Sequence, residues 1–273
     1  MSNKQIRNSR RRRKRNIQRI IFILLFAVLV VFATNGLTGL LTGRGVEGGS
    51  SQVENSDVQP TPEPAPTPEP TPTIPQPNDY TELVNRANPL SENYDVKTRG
   101  IVNNGVQTDY QFDVRVIEHL EAMLKDAADA GYPVLIRSAH RTINYQKMLY
   151  TNKVNAYLNA GYNQATAESE AAKWVAVPGT SEHNLGLVVD IVNQGYTGEL
   201  EQYFENEPLF TWLIENCADY GFILRYPKTK ESVTGIVYEP WHYRYVGEEV
   251  AHYIMDNDLT LEEYWENIKI GKS

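Results

Sequence analysis

The sequence predicts an α+β domain in which a small, mostly antiparallel sheet is flanked by helices. From about residue 79 onward, apolar residues recur at helical spacing in some segments and form short β-rich stretches in others. This part of the chain, about 195 residues, is long enough to bury one hydrophobic core. The residues before it are basic, then apolar, then rich in Pro, and cannot join such a core. We therefore expect one folded domain, spanning residues 79–273.

The helices of this domain are predicted from their apolar faces and end signals. Asp113 is the expected N-cap of the first helix, which ends at Gly131. Its predicted buried face consists of Val116, Ile117, Leu120, Leu124 and Ala127. The other predicted helices run from Thr142 to Gly161, from about Gln164 to a point before Pro178, over residues 209–220, and onward from a capping box of Thr260 and Glu263.

The strands are predicted from short apolar segments rich in β-branched and aromatic residues. They occupy residues 134–136, 185–192, 222–226 and 235–246. Asp190 lies within the second of these segments, among apolar residues. Burying an ionised carboxylate without a cation costs several kcal/mol, so Asp190 is expected to be paired, exposed or a metal ligand.

The first segments of the chain predict a membrane anchor. Residues 1–19 contain nine Lys or Arg and no acidic residue, and a block so basic stays in solvent. Residues 20–41 are mainly apolar and would form a helix of roughly 33 Å, close to the ~30 Å hydrocarbon core. Basic residues before the apolar segment place the N-terminus in the cytoplasm and the later domain outside the cell. The alternative is a cleaved signal peptide, with residues 31–33 as the cleavage context, which would make the domain secreted.

Residues 42–78 are predicted to be a disordered linker. Pro stands at nearly alternate positions within 59–77, and a polyproline II conformation would extend this stretch to roughly 60 Å. Without the nine basic residues of 1–19, 17 Lys and Arg remain against 34 Asp and Glu, a formal charge of −17. A part so acidic is a poor nucleic-acid binder. The single Cys, Cys217, excludes an internal disulfide.

Two segments carry the candidate metal ligands. His183 precedes the predicted strand that contains Asp190, and Glu239 lies three residues before His242 in a second aromatic, β-rich segment. Two His and one carboxylate, with a second carboxylate left free, are the residues of a catalytic zinc site. We therefore expect His183, Asp190 and His242 to bind one Zn2+. The spacing alone leaves open where His242 lies in space.

These motifs resemble the signature of the VanY-type zinc D-alanyl-D-alanine carboxypeptidases. That group includes L,D-carboxypeptidases and D-Ala-D-Ala dipeptidases and shares its fold with the hedgehog signalling domain. The resemblance rests on Ser181-x-His183 followed by Asp190, on Glu239-x-Trp241-His242, on residues 137–141 with Gln146, and on an opening segment at 83–90. It covers about residues 80–250. The chain departs from the family pattern at Ala139, His140 and Asn184, none of which is an expected ligand, and these departures concern the substrate preference.

The resemblance implies removal of the C-terminal D-alanine from peptidoglycan stem peptides. A bound zinc would lower the pKa of a water and polarise the scissile carbonyl, and Glu239 would take the water's proton and return it to the leaving amine. Arg141 would stabilise the oxyanion or hold polar groups of the substrate, and Gln146 and Ser181 are candidates for substrate hydrogen bonds. Pentapeptide stems (D,D bond) and tetrapeptide stems (L,D bond) both stay open, since pocket shape decides between them.

Two other functions are compatible with the same motifs. An endopeptidase on the same fold is a second enzyme, and a non-catalytic wall-binding module is a different class of protein. Glu239 argues against the module, because a closed structural zinc site has four protein ligands and does not need a free carboxylate beside it. The oligomeric state stays open. Five further residues are expected to have ordinary roles: Trp174 in the core, Trp241 and Tyr243 packed on their strand, and His119 and His252 as ordinary surface or core residues.

Overall fold

The structure is a computed structural model that describes residues 73–271. These residues belong to the second of two units into which the chain divides, Pro72–Ser273. The predicted basic segment (1–19), the predicted anchor (20–41) and most of the predicted linker (42–78) lie outside the described residues. Within 73–271, no helix is both long enough and apolar enough to cross a bilayer.

The first regular element is a β-hairpin that the sequence analysis missed. Strand β1 (Thr98–Asn103) pairs with β2 (Val106–Asp113) in antiparallel fashion. The two residues between them, Asn104 and Gly105, have φ of 52° and 81°. Asn-Gly at positions with positive φ is the preferred sequence of a tight two-residue hairpin turn, so the signal was present in the sequence.

A four-stranded antiparallel sheet forms the centre of the domain. Its strands are β3 (Val134–Ser138), β4 (Val188–Asn193), β5 (Phe222–Leu224) and β6 (His242–Tyr245), in the order β3-β4-β6-β5. Each lies within or next to a predicted apolar segment, and the predicted α+β class is confirmed. The strands are short: of the segment predicted as strand 185–192, Leu185 belongs to a 3-10 helix, Glu182–Leu185, and the strand begins only at Val188.

Seven α-helices surround the sheet in the described range. They are α1 (Ile117–Asp129), α2 (Ile143–Asn159), α3 (Gln164–Ala171), α4 (Pro208–Asn216), α5 (Glu231–Thr234), α6 (Glu248–Asp256) and α7 (Leu261–Ile270). Thr142 caps α2 by accepting a hydrogen bond from the Tyr145 N–H, as predicted. The predicted capping box of Thr260 and Glu263 at α7 is also confirmed.

The predicted role of Asp113 as a helix cap is wrong. Asp113 is the last residue of β2, and α1 begins four residues later, after Val116. The Asp113 carboxylate instead accepts hydrogen bonds from the backbone and guanidinium of Arg115. The Asp113 carboxylate therefore bonds to Arg115, which precedes α1, and does not cap the helix.

One core cluster joins the sheet to α1. The five residues predicted to form the apolar face of α1 are all buried, and Met123 lies among them. Phe222 and Tyr243 of the sheet belong to the same core cluster, and both are inaccessible to solvent. The sheet is thus held rigidly from one side, which positions side chains at its edge and ends with little freedom.

Candidate active site

The register of the sheet brings two of the predicted ligands side by side. Asp190 on β4 is the direct antiparallel partner of His242 on β6. Opposite residues of an antiparallel pair have Cβ atoms about 4.5–5.5 Å apart, so the two side chains lie on the same face of the sheet within contact distance. Strand pairing thus brings together two residues that are 52 positions apart in sequence.

His183 is brought to the same place by a short 3-10 helix. The helix Glu182–Leu185 ends at Gly186, whose φ of 72° turns the chain into β4. A side chain at Gly186 would be strained by this φ and would approach Val96 to 3.2 Å. Gly186 therefore allows the tight connection that places His183 beside Asp190.

The three expected ligands form a tight, buried cluster. His183 Nε2 lies 3.3 Å from one Asp190 oxygen, and His242 Nδ1 lies 3.1 Å from the other. One donor atom from each residue falls within 4.8 Å of the other two. All three side chains are almost inaccessible to solvent.

The donor set fits a zinc ion. Two imidazole nitrogens and one carboxylate oxygen are the protein ligands of many catalytic zinc sites. The Asp190 carboxylate is buried, and its Oδ1 atom lies 3.1 Å from His242 Nδ1 without meeting the geometry of a hydrogen bond to any residue in 73–271. A buried carboxylate oxygen in this state is costly unless a cation satisfies it.

A hydrogen bond outside the cluster orients the imidazole of His183, and a carboxylate outside the cluster faces the imidazole of His242. The Nδ1–H of His183 donates to the carbonyl of Ala139 at 2.7 Å, which leaves Nε2 free to face Asp190. On the other ring, His242 Nε2 lies 3.9 Å from Glu182 Oε2. A ligating His typically has such a partner on its second nitrogen, which fixes the tautomer and the ring orientation.

The cluster also shifts the pKa values of its members. Burial opposes the charge of Asp190, but His183 and His242 outweigh this effect and hold the pKa of its carboxyl well below the usual range. Burial, reinforced by the nearby Arg141, lowers the pKa of His183 to about 4. His183 is therefore neutral at pH 7, the form in which an imidazole can bind a metal.

Glu239 lies beside the cluster without belonging to it. Its Oε2 atom is 3.3 Å from His242 Nδ1, and its side chain is largely buried. Burial raises the pKa of the Glu239 carboxyl to about 7. The residue precedes β6 in an irregular stretch with Pro240, where its backbone N–H donates to the Tyr226 carbonyl. A carboxyl with this pKa can accept and return a proton near neutral pH.

Arg141 reaches the same centre from the segment after β3. Its guanidinium donates to Asp190 and to the Gln146 side-chain oxygen, each at 3.3 Å, and to Ser138 at 2.9 Å. Gln146 is fully buried and also donates to the Ala176 carbonyl at 2.8 Å. Both ends of its amide form hydrogen bonds, so Gln146 supports Arg141 from behind. The substrate hydrogen bond expected of Gln146 stays a prediction. Ser181 does line the cleft.

The cluster opens into a cleft of about 780 Å³. Glu239, His140 and Trp241 line this cleft, and Trp241 is at the same time buried against the core. The prediction that Trp174 belongs to the core is wrong, because its side chain is 52% exposed and lines the cleft. Tyr243 packs in the core as expected.

The remaining two histidines lie elsewhere. His119 packs against the Tyr245 ring, with centroids 5.2 Å apart, and His252 Nε2 lies 3.0 Å from Asp219. Neither belongs to the metal-ligand cluster found among the described residues. Their expected ordinary roles agree with these positions.

The sequence analysis missed a buried ion cluster directly behind the site. One Glu182 oxygen lies 2.8 Å from Arg225 and 2.8 Å from Arg244, and all three side chains are buried. Arg225 also forms two hydrogen bonds to Glu262 of α7. Burial opposes ionisation of Glu182, but the two arginines hold the pKa of its carboxyl well below the usual range. Arg244 is a charged residue inside an aromatic strand, as Asp190 is inside an apolar one. This feature of the sequence could have revealed the cluster.

Comparison with known proteins places this geometry in a family. A family model described as VanY, D-alanyl-D-alanine carboxypeptidase, matches residues 109–248. The D-alanyl-D-alanine carboxypeptidase of Enterococcus faecalis is 43% identical over 183 residues, which are 67% of this chain and 64% of that relative. The chain thus spans less than two thirds of the length of this curated relative.

Two solved structures share the fold. A variant of the vancomycin-resistance D,D-pentapeptidase VanY, in complex with Zn(II), is 42% identical with a TM-score of 0.58, over 68% of this chain and 98% of that one. The LD-carboxypeptidase LdcB is 35% identical with a TM-score of 0.58, over 67% of this chain and 84% of that one. The family model matches more than half of the chain and includes every expected ligand. The chain therefore belongs to the VanY family of D-alanyl-D-alanine carboxypeptidases.

Proposed function

We propose that this protein is a zinc-dependent carboxypeptidase that removes the C-terminal D-alanine from peptidoglycan stem peptides. One observation carries the proposal: the donor atoms of His183, Asp190 and His242 converge within 4.8 Å beside the free carboxyl of Glu239, at the base of an open cleft. A carboxylate next to a three-ligand site is what a hydrolytic metal centre requires.

In this proposal His183 Nε2, Asp190 and His242 Nδ1 hold a single Zn2+. When bound, zinc supplies Lewis acidity, which lowers the pKa of a water and polarises a carbonyl. Family membership supports this assignment, since the related VanY variant was solved with Zn(II). The burial of the Asp190 carboxylate between the two imidazoles supports it independently.

Glu239 carries the proton in the proposed reaction. Its carboxylate takes a proton from the attacking water, and the carboxylic acid then gives this proton to the amine of the departing D-alanine. The raised pKa of about 7 suits both steps, because the residue exists in both protonation states near neutral pH. Burial in the wall of the cleft keeps the group out of bulk water.

Arg141 is proposed to stabilise the negative oxygen that develops on the scissile carbonyl. Its guanidinium lines the cleft and is fixed by Ser138 and Gln146. A donor that is already oriented loses little freedom in the transition state, which is the condition for strong electrostatic stabilisation. Ser181, at the cleft surface, is proposed as a hydrogen-bond partner of the substrate.

The proposal covers both stem lengths and an extracellular location. Relatives include a D,D-pentapeptidase and an LD-carboxypeptidase at similar TM-scores, so the test below treats both bonds. The location rests on the sequence of residues 1–41, where basic residues precede an apolar segment.

The test is incubation of the purified protein with tetrapeptide and pentapeptide muropeptides, followed by mass spectrometry. The expected result is the loss of one alanine, which a chelator abolishes and Zn2+ restores. The substrate that reacts shows whether a D,D or an L,D bond is cleaved. Glu239→Gln is expected to keep the bound metal, measured by elemental analysis, and to lose nearly all turnover. Glu266→Gln, an exposed change on α7, is the matched control. Absence of alanine loss from both substrates, in folded zinc-loaded protein, would contradict the proposal.

A further inference from the structure

One wall of the cleft is formed by a stripe of side chains on α2. Tyr145, Leu149 and Lys153 all line the cleft and follow one another at intervals of four residues. Residues with this spacing lie above one another on one face of a helix. Trp174, which follows α3, extends the same wall. The wall therefore changes from aromatic and aliphatic to cationic along its length.

Lys153 carries the free charge of this wall. Its Nζ lies 5.8 Å from the centre of the Tyr157 ring and 5.9 Å from that of Trp174. Rings at this distance hold an ammonium by cation–π attraction but accept none of its three N–H groups in a conventional hydrogen bond. Lys153 forms no ion pair with any residue in 73–271. An ammonium that is positioned and unpaired is suited to an anion from outside the chain.

A second unpaired cation, Arg137, lines the cleft from β3. It forms no ion pair within the described part of the chain either. Arg141 differs from both, since Asp190 and Gln146 already engage its guanidinium. The two free cations therefore lie on different elements of the cleft wall, and substitution can separate their effects.

We propose that Lys153 and Trp174 form a subsite for a carboxylate of the stem peptide, on the side of the scissile bond that is retained after cleavage. This inference rests on the proposed function. The carboxylate is the free α-carboxyl of a γ-linked glutamate or the second carboxyl of a diamino acid at the next position. Both are anions on the same extended chain, and the ring of Trp174 provides an apolar surface for the adjoining methylene groups.

The reach of the stripe agrees with this assignment. The stripe begins at Tyr145, next to Gln146, which holds Arg141 at the reacting centre. Lys153 lies eight residues further along α2, about 12 Å at 1.5 Å per residue. An extended peptide covers roughly 10–11 Å in three residues. In a pentapeptide stem, the second residue precedes the leaving D-alanine by three positions.

The experiment compares zinc-loaded full-length protein on three synthetic pentapeptide stems. The first has a free carboxyl on the γ-linked glutamate, the second has this carboxyl amidated, and the third is amidated but has a diamino acid with a free second carboxyl. A partly exposed ion pair predicts a preference of about 1.4- to 5-fold in kcat/KM for a carboxylate-bearing stem over the fully amidated one, seen in KM. The stem that shows the preference identifies which carboxylate is bound.

Three variants assign the preference to a side chain. Lys153→Met is expected to reduce it to near one, and Lys153→Arg is expected to retain it because the charge is kept. Lys147→Met, an exposed change on the same helix outside the cleft lining, is expected to leave the preference as it is in the wild type. A preference that survives Lys153→Met, or one that only Arg137→Met removes, would overturn the proposal.

A binding measurement separates the subsite from the catalytic proposal. Calorimetry with the Glu239→Gln protein measures affinity for the same stems without turnover. Tighter binding of a carboxylate-bearing stem, lost when Lys153→Met is added, supports the subsite even where the wild-type enzyme cleaves none of the stems. Equal affinity for all three stems would overturn the subsite, whereas absence of cleavage alone would count against the proposed function.

Discussion

Replacement of Glu182 by Gln is expected to destabilise the fold strongly. Glu182 keeps its shape in this substitution and loses only its charge, which lies 2.8 Å from both Arg225 and Arg244. All three side chains are buried, so water cannot take over the role of the carboxylate. Arg225 would keep Glu262 as a partner, whereas Arg244 would be left with backbone carbonyls of Tyr80, Glu82 and Tyr245.

The magnitude follows from the loss of one partner in a buried ion cluster. Removing such a partner typically costs about 3–5 kcal/mol, because the remaining charge stays buried without compensation. For a domain of this size each kcal/mol lowers the melting temperature by about 2–4 °C, so a decrease of roughly 6–20 °C is expected. The free energy of unfolding is to be measured by urea denaturation followed by circular dichroism.

A matched control tests whether the loss of stability comes from the burial of Glu182 or from the removal of any carboxylate charge. Glu266→Gln removes a carboxylate that pairs with Lys269 at 2.7 Å on the surface. Water and salt screen this pair, so the midpoint of unfolding is expected to stay within experimental error. A loss below about 1 kcal/mol for Glu182→Gln would refute the reasoning, since the cluster would then not depend on its central carboxylate.

Two further predictions concern stability and thiol reactivity. Gly221→Ala is expected to destabilise the fold by more than about 1 kcal/mol, because φ is 81° and the new Cβ would lie 2.6 Å from the Tyr245 ring. Gly105→Ala is the control, since Gly105 has the same φ but open space around it. Equal urea midpoints of the two variants would contradict the steric argument. Burial raises the pKa of the Cys217 thiol to about 12. Cys217 in the native protein is therefore expected to resist a thiol reagent that reacts with it fully in denaturant. Rapid labelling of the native protein would contradict this expectation.

Local sequence signals predicted most of the regular elements. The N-cap of α2 and the capping box of α7 depend on residues three positions apart, so they can be read without knowledge of the fold. The buried face of α1 follows from helical periodicity in the same way. The hairpin of β1 and β2 was missed although its Asn-Gly turn was visible, because β2 is largely exposed and lacks an apolar pattern.

Long-range contacts set the limits of these predictions. Trp174 was expected in the core, whereas its position after α3 leaves its side chain 52% exposed at the cleft. Gln146 has the residue type of a substrate-binding group, but the proximity of Arg141 and Ala176 uses both ends of its amide. The role of a side chain depends on its contacts with residues of other helices and strands. The spacing of residues in the sequence does not reveal these contacts.

The sequence by itself determined the types of residue available for chemistry: two His, one Asp and a free Glu in segments whose order and spacing resemble one family. Only the tertiary structure decided that these residues meet. The pairing of Asp190 with His242 comes from strand register, which a chain acquires when its apolar face is buried. The same folding step buried Glu182 between two arginines and placed the unpaired Lys153 on the cleft wall, because burial and distance depend on the packing of elements far apart in sequence.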